Sequence, residues 1–315
     1  MARRRAVAIA GPSRISGEFI LRIVLGVVIL LGVIFLALAG VGAGLTYYVT
    51  TASNTQESVN PQSYLLSSYI SLSFTDRSGG EHEGWLLLGL RGAPVIILCH
   101  GYNSNRSDLL SLGSILRDNH FNVYLFNFQG PKAKEGRSNL GSREASDLIA
   151  AIETVTKQPD VNPNRVGLFG TSVGGYAALV AAEVNPKVKV LVVDTTYSTP
   201  ERMFDSQVER LLGGSSGLFH FLTEAEFHLA SRGVDTYAMP ANLPKLATVP
   251  KLFISGRDVA SLAEMTEALY DEAPQPKQLL VMEHSGSSLA SEAEKKEYEN
   301  QILNFFLQKL SLRAD

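Results

Sequence analysis

The chain has 315 residues, enough for one large domain or one domain with appendages. A net charge of −3 gives no basic footprint for nucleic acid, and a single cysteine, Cys99, excludes an internal disulfide and any cysteine–histidine zinc spacing. Hydrophobic residues make up 45% of the chain and the mean hydropathy is +0.07; the apolar excess sits near the start.

Residues 1–22 carry Arg3, Arg4, Arg5, Arg14 and Arg22 against one acid, Glu18. Ile23–Leu45 then has no charged residue, a run worth about 34 Å of helix and long enough to cross a bilayer. We expect a transmembrane helix over 23–48, with Tyr47 and Tyr48 as interfacial aromatics. No Lys or Arg recurs until Arg77, so the positive-inside rule puts the N-terminus in the cytoplasm and the rest outside it. The competing reading is a signal peptide cleaved after Ala37-Leu38-Ala39; the length of the apolar run and of the basic region before it favours an uncleaved anchor. Residues 49–63 are polar and read as a linker, and the domain is expected over 64–315.

Ser68–Thr75 and Trp85–Leu90 read as a hairpin around Asp76–Gly80. Val95–Cys99 is a continuous apolar run of the kind buried on both faces of a parallel sheet. From there strand and helix alternate: helix Ser107–Asp118, strand Val123–Phe126, helix Ala145–Thr156, strand Val166–Phe169, helix Tyr176–Val184, strand Val188–Val193, strand Leu252–Ser255, helix Leu262–Tyr270, strand Gln278–Met282 and helix Lys296–Leu310. Such alternation predicts a mostly parallel sheet with helices on both faces. Residues 199–248 interrupt it with two helical stretches, Arg202–Leu212 and Leu218–Ala230, and read as a helical cap over the C-terminal edge of the sheet. The cap is rich in Phe and Leu; these side chains either pack it onto the domain or form a greasy entrance for an acyl chain or a membrane surface.

The chemistry centres on Gly170-Thr171-Ser172-Val173-Gly174, set between an apolar run and a helix. In such a strand–turn–helix context the serine hydroxyl is lifted from the sheet toward a helix N-terminus. The bland alternative is Ser172 as a helix N-cap. A nucleophilic serine needs a base, an acid to orient it, and donors for an oxyanion, with the partners of this motif following in the order acid, then histidine. Of six histidines only His284 follows the last plausible acid, in the loop after the strand Gln278–Met282. Asp258, directly after Leu252–Ser255, is the first choice of acid; Asp194, ending Val188–Val193, is the alternative. The backbone amides of Val173 and Tyr102 are the candidate oxyanion donors, with Gly101 allowing close approach and His100 bracing the loop.

In order along the chain, His100-Gly101, Gly170–Gly174, Gly256-Arg257-Asp258 and His284 match the landmarks of the α/β-hydrolase-fold serine hydrolases, which residues 64–312 resemble. Segment Leu140–Asp147 is similar to that of membrane-anchored or peptidase-like branches of this family. Two departures stand out: a single residue separates Gly256 from Asp258, and Gln129-Gly130-Pro131-Lys132 replaces a frequent Arg-Gly-x-Gly turn. The resemblance implies a Ser172–His284–Asp258 triad acting on a carboxylic ester or related acyl bond through an acyl-enzyme. No metal or organic cofactor is implied, and the expected partners are a small or lipid-like acyl substrate and the membrane. A serine peptidase or amidase stays open through the cap acids Glu201, Asp205, Glu209 and Glu224. So does a non-catalytic binding protein of the same fold, marked by His284 pointing away from Ser172.

Overall fold

The computed structural model describes residues 17–51, 57–64, 66, 69–128, 138–213, 217–231, 242–286 and 291–312. The turn at 129–132 lies outside these, as do the first sixteen residues. Eight strands form one sheet in the order β1-β2-β4-β3-β5-β6-β7-β8. The hairpin β1 (Tyr69–Thr75) and β2 (Glu81–Leu87) is antiparallel, and β2 pairs antiparallel with β4 (Asn122–Phe126). All other pairs, through β3 (Ala93–Cys99), β5 (Val161–Thr171), β6 (Val188–Asp194), β7 (Lys251–Gly256) and β8 (Lys277–Met282), are parallel.

Two apolar layers cover the sheet. On one face lie α3 (Ser142–Val155), α4 (Val173–Val184) and α7 (Ala260–Glu272); on the other lie α2 (Leu110–Asp118) and α8 (Glu292–Lys309). The helical periodicity read from sequence places Ala145, Leu148, Ile152 and Val155 of α3 and Ile302, Phe305 and Phe306 of α8 in these layers, all of them buried. The strand β2 starts four residues earlier than the sequence indicates. Glu81-His82-Glu83 alternates out, in, out, but the inward residue is polar, so the pattern is hidden. His82 is accommodated by a stacked Phe74 ring and by partners at both nitrogens: Nδ1 lies 3.0 Å from the Asn127 carbonyl, Nε2 3.0 Å from Asp76 and 3.7 Å from Asp147 of α3. The hairpin is thereby latched to the helix beneath it.

The interval between β6 and β7 holds α5 (Pro200–Leu212) and α6 (Gly217–Ala230). Thr199 caps α5, accepting from the Arg202 N–H, and Pro200 opens it. The stacked rings of Phe204 and Phe227, 4.7 Å apart, hold α6 on α5.

The first helix, α1 (Gly17–Thr50), has 34 residues and is long and apolar enough to cross a bilayer. It continues past residue 48, where a linker is expected from sequence. Gly42, Thr46, Val49 and Thr50 are buried, and Val49 belongs to the domain core. The Thr50 carbonyl accepts from the Ser138 N–H at 2.7 Å. Glu57 is likewise tied down, pairing with Arg106, whose guanidinium lies 3.9 Å over Trp85. The end of the apolar helix is part of the folded unit.

Candidate active site

Strand β5 ends at Thr171 and α4 begins at Val173, leaving Ser172 as the whole turn, at φ 48 and ψ −114. A left-handed backbone at a non-glycine residue costs about 1–3 kcal/mol and persists only where surroundings enforce it. Two glycines supply the enforcement. A Cβ on Gly170 would collide with the Gly174 backbone, and a Cβ on Gly174 would sit 2.5 Å from the carbonyl oxygens of Cys99 and His100. Strand and helix therefore meet at a distance no side chain allows. The Ser172 N–H donates to the Asp194 carbonyl at 2.9 Å, and its own carbonyl accepts from Tyr176 N–H at 3.0 Å. The bland N-cap role finds no support, since Ser172 makes no side-chain capping bond.

The loop after β3 lies against this turn. A Cβ at Gly101 would sit 2.8 Å from Thr171 Oγ1 and 3.6 Å from Ser172 Cβ. His100 braces the loop: its Nε2 accepts from the Phe128 N–H at 3.2 Å, so the proton is on Nδ1, which donates to the Gly101 carbonyl at 2.9 Å. Full burial pushes its pKa down, keeping the ring neutral. The Tyr102 hydroxyl donates to the Val49 carbonyl in the last turn of α1 at 2.9 Å.

Ser172 opens on a cavity of about 200 Å³ whose walls include Tyr102, Asp258, Ser285 and Gly286, with Met203 and Arg210 from the cap. The structure thus brings Ser172, the Tyr102 loop and Asp258 to one space, at the strand-order reversal between β4-β3 and β5 where α/β sites form. It does not bring His284 there. His284 is half-exposed, absent from the cavity wall, and its Nδ1 lies 3.0 Å from Glu294 Oε1 on α8. The reason is local. Beyond the end of β8, Ser285 is the residue that takes the inward direction, where its hydroxyl bonds that of Thr195. The neighbouring His284 is turned out.

Asp194 lies behind the wall, beneath Thr195 and Tyr298, which line it. It is fully buried; Tyr298 donates to Oδ2 at 2.6 Å and Thr195 to Oδ1 at 2.7 Å. Burial pushes its carboxyl up to about 6, outweighing its hydrogen bonds from Tyr298, Thr195 and Ser285, and nearby Asp258 adds to the rise. Asp258 itself is exposed. Three residues of this arrangement were not singled out from sequence: Glu294, Ser285 and Tyr298. Glu294 sits in a run of alternating charges that reads as a solvated face, and only the chain reversal after β8 brings it to an imidazole.

Residues 114–212 match the prolyl oligopeptidase family. The chain is 28% identical over 253 residues to the uncharacterized protein YfhR of Escherichia coli O157:H7, covering 76% of this chain and 81% of that one. Among solved structures it is similar to the esterase Pf2001 of Pyrococcus furiosus, with a TM-score of 0.64 and 17% identity over 83% of this chain and 100% of the other. It is also similar to a dienelactone hydrolase from Anabaena variabilis, with a TM-score of 0.56 and 19% identity over 77% and 98% of the two chains. With the strand order, these likenesses establish the α/β-hydrolase fold.

Proposed function

We propose that the chain is a membrane-anchored serine hydrolase that cleaves a carboxylic ester or related acyl bond through an acyl-enzyme. The observation that carries this reading is the strained Ser172 turn, opening on a cavity beside the Tyr102 loop. Backbone strain of this kind clusters at functional sites, and in a strand–turn–helix it presents a hydroxyl, which supports the reading. Esterase and dienelactone hydrolase neighbours add support at the level of the fold.

In this reading Ser172 attacks the acyl carbonyl, and the amides of Val173 and Tyr102 hold the oxyanion. His284 takes the serine proton, returns it to the leaving group, and then activates the water that deacylates the enzyme. To do so it turns from Glu294 toward the cavity, where Asp258 orients it. Asp194 is the alternative acid; its bonds to Tyr298 and Thr195 already occupy its carboxylate, which favours Asp258. The N-terminus lies in the cytoplasm and the domain outside it, held to the membrane by α1.

An aminopeptidase would need cap acids at the cavity to hold the substrate amine. Here Asp205 lies 3.4 Å from His220 and Glu201 3.9 Å from His228, while the cap side chains at the cavity are Met203, Gln207 and Arg210. That arrangement favours an acyl ester. A non-catalytic binding protein is the second reading, and the pairing of His284 with Glu294 favours it. Labelling with a fluorophosphonate separates the two. The hydrolase reading expects labelling of the wild type, abolished in Ser172→Ala and severely slowed in His284→Ala; an unlabelled, folded wild type sinks it.

A further inference from the structure

We infer that the exposed face of α6 contacts the membrane at the boundary between headgroups and hydrocarbon, so that the cavity takes an amphiphilic acyl substrate from the bilayer rather than from water. This rests on the reading of α1 as a membrane span.

The depth follows from helix geometry. Along α1, every residue from Gly17 to Ala37 is exposed, and contact with the domain begins at Leu38 and Ala39. The charge-free part of that free stretch, Ile23–Ala37, is only about 22 Å long at 1.5 Å per residue. A bilayer core is about 30 Å thick. With Arg22 held at the cytoplasmic headgroups, the core ends near Gly42. The segment from Leu38 to Gly42 thus lies at hydrocarbon depth while already packed against the domain. Its partner there is α6, which packs against α1 and lays the Glu226 carboxylate over Gly42. The close fit needs a glycine: a Cβ would meet Glu226 Oε2 at 2.6 Å.

The outward face of α6 suits that depth. Phe221, Ala225 and Leu229 recur at four-residue spacing and are exposed, Phe221 by 66% and Leu229 by 60%. Its polar side chains border that face: His228 is exposed, and His220 and Glu224 are about half-exposed. His220 and His228 face Asp205 and Glu201 of α5, and Glu226 Oε2 is buried against α1 without a hydrogen-bond partner. The last turn of α5 continues the apolar face through exposed Leu211 and Leu212. A helix with an exposed apolar stripe and a polar edge beside it suits an interface, the stripe toward hydrocarbon and the edge toward headgroups. Tyr47 and Tyr48, both exposed, stand just beyond, at headgroup level.

The same elements form the rim of the cavity. Arg210 lines it and directly precedes Leu211; Tyr102 lines it and bonds the Val49 carbonyl of α1. A chain entering past this rim leaves lipid, not water.

The test uses the full-length protein in phospholipid vesicles, with single cysteines labelled by an environment-sensitive fluorophore at Phe221→Cys, Leu229→Cys, Leu31→Cys on α1 and Lys296→Cys on α8. The wild type sets the background, because Cys99 is fully buried and burial pushes its thiol up. Lipids spin-labelled near the headgroup are expected to quench positions 221 and 229 at least about twofold more than 296, as for a helix seated about 5–10 Å into the interface. Lipids labelled deep in the chain are expected to quench position 31. Quenching at 31 with none at 221 and 229 overturns the interfacial helix and leaves the anchor standing. No quenching at 31 removes the anchor and this inference with it. A blue-shifted but unquenched fluorophore at 221 means that protein, such as a second copy of the chain, covers the face, which also overturns it.

Discussion

The two halves of the candidate site are held by different means. On the serine side, backbone meets backbone: Gly170 against Gly174, and Gly174 against the carbonyls of Cys99 and His100. Nothing there can rotate. On the other side, Asp258, His284, Glu294 and Asp194 are set by side-chain torsions and hydrogen bonds, and His284 would reach the cavity only by turning from Glu294. A nucleophile fixed by sterics is committed by the fold itself. A base fixed by hydrogen bonds can be shared between two carboxylates.

The largest expected effect lies on the side-chain half. If Asp258 orients His284, Asp258→Asn lowers kcat on a short-chain p-nitrophenyl ester by about 10⁴-fold, some 5 kcal/mol of barrier. A greater loss in Asp194→Asn reassigns the acid. Next comes the backbone half. Gly174→Ala forces a Cβ onto two carbonyl oxygens that cannot retreat, and costs about 3 kcal/mol or more. For a domain of this size that is a fall in Tm of about 6–12 °C. An unchanged Tm means the elbow is softer than its geometry.

Smaller again is the effect of removing the buried Asp194 charge. Its folded pKa, about 6, stands above the ordinary carboxylate value, so the native state holds its proton more tightly than the unfolded chain. The stabilisation is complete below about pH 4 and is lost as pH rises through 6. Asp194→Asn removes that slope: between pH 4 and 7 the stability of the wild type relative to the variant falls by about 2–3 kcal/mol, measured by urea unfolding. A difference independent of pH refutes the shift. The smallest effect is expected at Glu294→Gln. Freed from its carboxylate, His284 turns inward more readily, and fluorophosphonate labelling accelerates by up to about tenfold, within the range of a hydrogen bond to a charged group. A slowing instead makes Glu294 the residue that orients the base.

The same contrast explains what the sequence discloses. The sheet, its helices and the Ser172 turn are legible because glycine spacing and apolar periodicity encode backbone geometry directly. The start of β2 is hidden by a buried histidine whose polarity is offset by Asp76, Asp147 and the Asn127 carbonyl, two of them distant in the chain. The direction of His284 is hidden for a similar reason: whether it or Ser285 turns inward depends on Thr195, ninety residues earlier. The surroundings of two cap acids are hidden likewise: His220 and His228 come alongside Asp205 and Glu201 only through the packing of α6 on α5.

The end of α1 carries a practical consequence. Val49 and Thr50 lend their carbonyls to the Tyr102 hydroxyl and the Ser138 amide, and the Val49 side chain fills a place in the core. A soluble fragment cut after Thr51 would therefore lose more than its attachment. It would lack a plug in its interior and the two acceptors used by the Ser138 amide and by the hydroxyl of Tyr102, a tyrosine in the wall of the cavity. Removing the hydrophobic helix to ease purification would alter the very site such a preparation is meant to measure.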